Sequence, residues 1–328
     1  MTPSPVPATI SSTSRTDPGR AVGPVLYPDE AVPDTAVVSG LVRDQFPEWA
    51  GLAVTAFPGS GTDNAIFRIG TRWSARFPRV ERARDQVVVE HEWLPRIGPL
   101  VPLAVPRPVA LGSPGRGYPW PWSVHEWLAG EPATPARVGD VGRAAADLGR
   151  FVAALGAVDP SGGPAPGARN SFRGGPLGPR DGPVRAAIAA LAGTIDTGTA
   201  TRVWEHALGS PLWDGPPRWL HGDLHAHNLL AEAGRLHAVI DFGCLATGDP
   251  ACDLMVAWTY LPAGAARDRF RDQVGPDEPA WSRGRGWALS MGLIALPFYR
   301  GTNPVLAATA RAAIDAVLDD PGIPPRPR

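Results

Sequence analysis

Residues 221–230 read HGDLHAHNLL, and residues 239–243 read VIDFG. Transfer of a phosphoryl group from a nucleotide requires a carboxylate beside the attacking hydroxyl, and oxygen ligands that hold magnesium against the phosphates. Asp223, Asn228 and Asp241 supply two carboxylates and an amide in a fixed order and spacing. Either segment alone is common in turns and loops, but the ordered combination predicts a phosphoryl-transfer site.

The surrounding residues predict a loop followed by a β-hairpin. An apolar segment ends at Leu220, before the polar residues, and two further apolar runs flank a tight turn at residues 233–235. Such a hairpin brings Asn228 close to Asp241. Magnesium takes few protein oxygens when phosphate and water complete its octahedron. We therefore predict that Asn228 and Asp241 hold Mg²⁺ and that Asp223 is free to act as the base.

The same residues allow a zinc site as an alternative. His221, His225 and His227, together with Asp223, are ligand types that zinc binds in metallohydrolases. A zinc site requires neither the Asp-Phe-Gly segment at residues 241–243 nor a nucleotide-binding lobe. The upstream sequence therefore discriminates between the two hypotheses.

A glycine-rich turn at residues 57–64 precedes a predicted strand at residues 65–69. Small residues in such a turn let backbone amides approach phosphate oxygens. The alternative is a hairpin turn that needs glycine only for its positive φ angles. By itself this turn is compatible with both functions.

The chain contains no lysine, and its 31 long basic side chains are all arginine. Kinases contact the nucleotide phosphates with a strand lysine that a helix carboxylate orients. Arg76 on a predicted strand and Glu90 on a predicted helix suit this pair, because arginine carries the same charge on a longer, forked side chain. The alternative is a solvated ion pair, which contributes little.

Residues 119–130 are rich in tryptophan and end at a glycine. We predict that this segment is a hinge between two lobes. Its extended backbone would present a carbonyl and an amide to the nucleotide base at Glu126, Trp127 and Leu128. The alternative is an ordinary core strand, and core packing is the expected role of the aromatic rings.

The spacing of apolar residues predicts the other elements. An extended proline-rich strand is expected at residues 102–108 and a strand at 73–77, with helices at residues 34–45, 82–97, 139–158, 253–260, 281–299 and 303–318. Residues 159–183 are dense in proline and glycine, and they form either a substrate-bordering loop or a surface excursion. Arg169, Arg173 and Arg180 lie in this loop.

Composition limits the possible partners and location. With 328 residues, 44% of them hydrophobic, the chain is long enough for two domains or one two-lobed enzyme. A formal net charge of −1 without a basic segment argues against binding to nucleic acid. The chain has only two cysteines, no signal peptide and no apolar run of membrane-spanning length. We expect a soluble cytoplasmic protein that does not contact membranes.

From about residue 51 to residue 320, the chain resembles the aminoglycoside phosphotransferase family of small-molecule kinases. The resemblance rests on residues 221–228, 240–243 and 248–253. It implies an α+β, two-lobed protein-kinase-like fold, with a small β-rich N-lobe at residues 24–125 and a larger, mainly helical C-lobe at residues 126–328. Residues 1–23 are expected to be a disordered N-terminal segment.

The resemblance also implies an activity. It indicates transfer of the γ-phosphate of ATP or GTP to a hydroxyl of a small molecule, such as an aminoglycoside or macrolide antibiotic. It assigns the base role to Asp223, Mg²⁺ binding to Asn228 and Asp241, and support of the catalytic loop to Asp253. The nucleotide-binding residues that it implies are Gly59, Ser60, Gly61, Thr62, Asn64, Arg76 and Glu90.

The sequence departs from the family pattern at two places. Arg76 stands where lysine is usual, and Ala226-His227 replaces a common Pro-Gly pair. The first departure motivates an alternative from another class of protein, a pseudokinase that binds nucleotide without turnover. The C-lobe carries an acidic excess of only two charges, which gives little support to a polycationic aminoglycoside. Macrolides, sugars and amino alcohols remain open as acceptors.

Overall fold

The structure is a computed structural model that describes residues 29–57, 62–134, 136–320 and 322. The segment at residues 1–23, for which we predict disorder, lies outside the described residues. The same holds for residues 24–28 at the start of the predicted N-lobe.

The first part of the described chain folds as an antiparallel sheet with two helices. Its elements are α1 Thr35–Gln45, β1 Val54–Ala56, β2 Asn64–Ile69, β3 Trp73–Pro78, α2 Gln86–Ile97, β4 Pro108–Gly112 and β5 Trp122–Glu126. The strands lie in the order β1-β2-β3-β5-β4. Helix α1 begins at an N-cap, because the side chain of Asp34 accepts a hydrogen bond from the Val37 amide at 2.7 Å.

Helices α1 and α2 bury their apolar faces in different cores. Helix α1 shares one core with the sheet through Val38, Leu41, Val42, Phe67, Phe77 and Trp122. The buried residues Trp93, Leu94 and Ile97 of α2 belong instead to the core of the second part of the chain. Helix α2 therefore joins the two parts, and it carries Glu90 to their junction.

The second part is mainly helical and contains two small antiparallel sheets. Its elements are β6 Glu131–Pro132, α3 Val141–Ala157, α4 Asp181–Ala190, α5 Thr197–Gly209, β7 Arg218–Leu220, β8 Leu229–Glu232, β9 Arg235–Val239, β10 Ala246–Gly248, α6 Val256–Thr259, α7 Ala265–Val274, α8 Glu278–Tyr299 and α9 Pro304–Leu318. One sheet has the order β6-β8-β9, and the other pairs β10 with β7. In the described part of the chain, no helix is long and apolar enough to cross a membrane.

Helix α8 is the centre of the helical part and packs against α4, α5, α6 and α9. Gly292 allows close contact with α9, because a Cβ atom there would lie 2.8 Å from Ile314 Cγ1 and 2.9 Å from the Ala310 carbonyl oxygen. Arg283 of α8 forms a buried ion pair with Asp249, with Nε 2.7 Å from Oδ2. This pair fixes the chain that follows β10 against the helical core.

Several sequence predictions need correction. The prediction of a strand at residues 102–108 is wrong, because strand β4 begins only at Pro108. Prolines at positions 102 and 106 lack the amide hydrogen that a sheet requires. The helix predicted at residues 253–260 is not continuous. These residues lie partly in a 3₁₀ segment, Pro250–Met255, and partly in the single turn α6. Helices α4, α5 and α7 were not predicted.

Candidate active site

The loop between β7 and β8 depends on a glycine. Gly222 has a φ of +82°, and a Cβ atom there would lie 2.7 Å from the Cys244 carbonyl oxygen. A side chain at this position would be strained in conformation and would collide with the backbone after the Asp-Phe-Gly segment. Glycine therefore allows the two polar segments predicted from the sequence to pack directly against each other.

Asp253 and His221 hold this loop in place. The amides of His221 and Gly222 donate hydrogen bonds to the two carboxylate oxygens of Asp253, each at 2.7 Å. His221 Nε2 lies 3.0 Å from the Ile240 carbonyl oxygen, and the Asp223 amide donates to His221 Nδ1 at 3.2 Å. Burial lowers the pKa of His221. The ring is therefore neutral and carries its proton on Nε2, since a carbonyl only accepts.

The carboxylate of Asp223 is partly exposed beside two basic side chains. Its Oδ2 lies 3.5 Å from His225 Nε2, and its Oδ1 lies 3.5 Å from Arg173 Nη2. Burial alone would raise the pKa of Asp223, but the hydrogen bond of His225 and the charge of Arg173 outweigh it and lower the pKa. Asp223 is therefore ionised at neutral pH and able to accept a proton.

Asn228 uses its amide nitrogen within the loop. Nδ2 donates to the Asp223 carbonyl oxygen at 2.8 Å, while Oδ1 makes no hydrogen bond with another described residue. The backbone carbonyl of Asn228 accepts from the Ile240 amide at 2.9 Å. The predicted β8–β9 hairpin is thus present, and its register brings Asn228 beside the residue that precedes Asp241.

Asp241, Arg76 and Glu90 meet where the two parts of the chain face each other. Arg76 Nη2 donates to Asp241 Oδ1 at 2.9 Å, and Arg76 Nη1 lies 3.2 Å from Glu90 Oε1. Burial would lower the pKa of Arg76, but attraction to Glu90 and Asp241 raises it, so the guanidinium stays charged. The predicted pairing of Arg76 with Glu90 is therefore present, and a third partner, Asp241, joins it.

We expect stability to depend on pH through Glu90. Burial raises the pKa of Glu90 from 4.5 to about 7, against the attraction of Arg76. The folded protein therefore holds a proton here that the unfolded chain releases, and this stabilisation, complete below the unfolded pKa, disappears as the pH rises through the folded pKa. From about pH 5 to pH 8, the free energy of unfolding of wild type should fall by on the order of 3 kcal/mol more than that of Glu90→Gln. Urea denaturation of both proteins at the two pH values measures this difference, and equal pH dependence would contradict it.

The residues present fit a magnesium ion. Asp241 keeps Oδ2 free of hydrogen bonds with described residues, and its left-handed backbone, with φ 65°, turns the chain sharply after β9. Together with Oδ1 of Asn228, this gives two protein oxygens of the kind that magnesium accepts alongside phosphate oxygens and water. The donor set is too small to bind the ion tightly without a nucleotide.

The predicted hinge is only partly correct, because residues 122–126 are strand β5 in the core of the sheet. The carboxylate of Glu126 forms ion pairs with Arg72 at 3.2 Å and Arg107 at 3.6 Å. The Trp127 amide donates to the Arg72 carbonyl at 2.7 Å. The Leu128 amide makes no backbone hydrogen bond with a described residue, so it is the hinge amide that remains available to a nucleotide base.

The glycine-rich turn can be described only in part. Gly59, Ser60 and Gly61 lie outside the described residues, whereas Thr62 and Asn64 are described. Asn64 begins β2 and is buried, and its Oδ1 has no hydrogen-bond partner among the residues described. Nearby, the ring of Trp127 packs edge-on against Phe57 at 5.3 Å between centroids, so the hinge and the start of the turn are adjacent.

The histidines do not form a zinc site. Within the described ranges, no group of three His, Cys, Asp or Glu side chains is arranged to hold a metal ion. His221 is engaged with the backbone on both ring nitrogens, and His227 Nε2 lies 2.9 Å from Thr309 Oγ1 of α9. His227 thus contributes to loop packing against α9.

Sequence reasoning missed Arg173 as a site residue. It lies in the loop at residues 159–183, which the sequence left open as a substrate border or a surface excursion, and its contact with Asp223 favours the first. Ser171 and Phe172, which precede it, have left-handed backbones with φ of 52° and 57°. The feature of the sequence that could have indicated Arg173 is the cluster of arginines in a loop rich in proline and glycine.

A small sheet lobe and a larger helical lobe, with a carboxylate loop at their junction, define a kinase-like phosphotransferase. The model of the APH phosphotransferase enzyme family matches residues 54–287, and the chain belongs to this family. It is therefore a small-molecule phosphotransferase, as the sequence predicted. No curated protein sequence matches the chain significantly.

Solved structures confirm the predicted two-lobed fold. The aminoglycoside phosphotransferase APH(2")-IIIa, in complex with GDP and kanamycin, aligns with a TM-score of 0.64 and 18% identity over 85% of this chain and 97% of that one. A macrolide 2'-phosphotransferase of type I aligns with a TM-score of 0.56 and 18% identity, over 85% and 96%. The macrolide 2'-phosphotransferase MphH from Brachybacterium faecium gives 0.53 and 23%, over 89% and 99%.

Proposed function

We propose that the protein transfers the γ-phosphate of ATP or GTP to a hydroxyl group of a small molecule in a Mg²⁺-dependent reaction. The observation that carries the proposal is the contact of Arg76 with both Glu90 and Asp241. This contact brings the cation of the sheet lobe to the proposed metal ligand of the helical lobe. It supports a nucleotide cleft between the lobes, bordered by Asn228 and Asp223.

In the proposed reaction, Asp223 accepts the proton of the acceptor hydroxyl as its oxygen attacks the γ-phosphorus. The bond from phosphorus to the oxygen that bridges the β- and γ-phosphates breaks, and the nucleoside diphosphate leaves with that electron pair. Magnesium, held by Asn228 and Asp241, supplies charge neutralisation on the phosphate oxygens when it is bound. Arg76 contacts the phosphates, and Glu90 orients its guanidinium.

Arg76 offers a test of the proposed nucleotide site. We expect Arg76→Lys to keep the nucleotide Kd within about threefold of wild type, because lysine, the usual residue in this role, keeps the charge and the attraction to Glu90. Arg76→Ala should weaken binding at least about tenfold, since it removes a charged phosphate contact. Titration calorimetry with ADP and Mg²⁺ measures both values. An unchanged Kd in Arg76→Ala would show that Arg76 does not contact the nucleotide.

The acceptor class is proposed from the solved relatives. The solved relatives described above are aminoglycoside and macrolide phosphotransferases, and one of them contains kanamycin. We propose an antibiotic-modifying role as the first to test. A suitable panel contains aminoglycosides, macrolides, sugars, amino alcohols and hydroxy acids, each with ATP or GTP and Mg²⁺.

The acceptor panel also discriminates between two hypotheses for this protein, an active phosphotransferase and a nucleotide-binding pseudokinase. The direct contact between Arg76 and Asp241 Oδ1 at 2.9 Å favours the pseudokinase to the extent that it occupies one of the two oxygens of a proposed metal ligand. Formation of nucleoside diphosphate that depends on a hydroxyl acceptor supports the proposed enzyme. Mg²⁺-dependent nucleotide binding, with no transfer to any acceptor in the panel, favours the pseudokinase.

A further inference from the structure

Two arginines from the loop at residues 159–183 converge on one tryptophan, and one of the two reaches the proposed base. The guanidinium carbons of Arg173 and Arg180 lie 5.6 Å and 4.9 Å from the centroid of the Trp287 ring. Trp287 is fully buried on α8. Arg173 also reaches Asp223, with Nη2 3.5 Å from Oδ1. Arg173 therefore connects Asp223 with the cluster of Arg180 and Trp287.

These side chains have unused hydrogen-bond donors. Arg173 is only 6% exposed, yet its Nε and Nη1 have no hydrogen-bond partner among the described residues, and the same is true of Trp287 Nε1. Arg180 is half-buried, and its Nε donates to Ser290 Oγ. Its two terminal nitrogens form neither a hydrogen bond nor an ion pair with a described residue. Buried donors without acceptors are costly, so a ligand that accepts from them would be stabilised here.

The two arginines also have few negatively charged groups near them. Arg173 has Asp223 nearby, whereas Arg180 has no carboxylate within ion-pair distance among the described residues. Burial, together with the charge of Arg173, lowers the pKa of Arg180 to about 10. The neighbouring thiols do not compensate, because burial raises the pKa of Cys244 to about 12 and also raises that of Cys252. Both thiols are therefore neutral at physiological pH.

We infer that the hydroxyl acceptor carries an anionic group, a carboxylate or a phosphate, which binds to Arg180 and Arg173 while its hydroxyl faces Asp223. The inference rests on the proposed function for the identity of the ligand. Arginine presents a fork of donors that matches an oxyanion. A polycationic acceptor would instead add positive charge to a place that already lacks counter-charge. Of the compounds in the acceptor panel, we therefore expect the hydroxy acids to be better acceptors than the aminoglycosides that the solved relatives suggest.

Sulfate binding tests the anion site without turnover. The probe is inorganic sulfate, titrated against sodium chloride of equal ionic strength, with saturating ADP and Mg²⁺ occupying the nucleotide site. We expect sulfate to raise the melting temperature of wild type, and Arg180→Gln to weaken its apparent affinity about tenfold or more. Arg185→Gln, which removes an equally charged but half-exposed side chain, is the matched control and should behave as wild type. Absence of a sulfate effect in wild type, or an equal effect in all three proteins, would overturn the inference.

Arg180→Lys distinguishes loss of the charge at position 180 from a general loss of stability. This variant keeps the charge, and it should keep sulfate binding more nearly intact than Arg180→Gln does. If Arg180→Gln binds sulfate with the affinity of wild type, recognition of the anion by Arg180 is contradicted; if both variants lose binding equally while their melting temperatures without sulfate match wild type, the fork of the guanidinium rather than its charge alone holds the anion. The comparison is independent of phosphate transfer, so its failure differs from failure of the proposed function.

A second comparison separates the acceptor from the nucleotide as the source of the anion. A non-hydrolysable ATP analogue with Mg²⁺ replaces ADP, so that the γ-phosphate position is filled. Sulfate binding that persists supports an acceptor subsite. Sulfate binding that the triphosphate analogue abolishes but ADP permits would show that the arginines contact the γ-phosphate, and it would overturn the assignment to the acceptor.

Matched acceptors then test the consequence for turnover. Each hydroxy acid that is phosphorylated is compared with its neutral amide in wild type and Arg180→Gln. We expect Arg180→Gln to lower kcat/KM about tenfold or more for the acids through KM, with less than about threefold change for the amides. An equal loss for acids and amides would contradict recognition of the anionic group.

Discussion

Replacement of Asp223 by asparagine is expected to lower kcat by roughly 10² to 10⁴-fold while the nucleotide Kd changes little. The carboxylate is ionised at neutral pH, because His225 and Arg173 lower its pKa, and asparagine cannot accept the hydroxyl proton. Asparagine has nearly the same shape, so the loop contacts of Asn228 with the Asp223 backbone should persist. Steady-state kinetics with the best acceptor, and calorimetry with ADP and Mg²⁺, measure the two quantities.

Asp214→Asn is the matched control for this prediction. Asp214 is exposed in the loop before β7, so the same chemical change there should leave kcat unaltered. A kcat for Asp223→Asn equal to that of the control would exclude Asp223 as the base.

Replacement of Asp241 by asparagine is expected to remove most of the effect of Mg²⁺ on nucleotide binding. An amide is a neutral and weaker ligand for a hard cation than a carboxylate. The hydrogen bond from Arg76 can be kept, because an amide oxygen still accepts at this position. In the presence of Mg²⁺ we expect the ATP Kd to rise by roughly two orders of magnitude, about 3 kcal/mol, and in EDTA by less than about threefold.

Calorimetric titrations of ATP with Mg²⁺ and with EDTA give both values for wild type, Asp241→Asn and the Asp214→Asn control. The informative quantity is the ratio of the two Kd values within each protein, since this ratio is insensitive to small losses of stability. An unchanged ratio in Asp241→Asn would show that Asp241 is not a metal ligand.

The parts of the site that the sequence predicted are those that local rules determine. Asn228 and Asp241 flank one hairpin, so their approach follows from the turn and the spacing along the chain. Arg76 and Glu90 lie on a strand and a helix that follow each other closely, and the resemblance to a known family indicated their roles. The contact between Arg76 and Asp241 joins residues 165 positions apart and needed the packed structure.

The parts of the fold and site that the sequence did not predict lack a periodic pattern of apolar residues. Arg173 lies in a loop where proline and glycine hide any regular pattern, and it follows two residues with left-handed backbones, Ser171 and Phe172. Helix α7 was missed because its sequence, AARDRFRDQV, has few apolar residues, and only Ala266, Arg267 and Phe270 are buried. The strand prediction at residues 102–108 rests on the extended backbone that proline favours, and it neglects the amide hydrogens that proline lacks.

The most direct test of the central claim is transfer of labelled γ-phosphate from ATP or GTP to the acceptor panel, with product analysis of wild type and Asp223→Asn. We expect wild type, in the presence of Mg²⁺, to form a labelled phosphate monoester and one nucleoside diphosphate for each ester. We expect almost no ester from Asp223→Asn. Nucleotide binding without any labelled ester, or equal ester formation by the two proteins, would contradict the central claim.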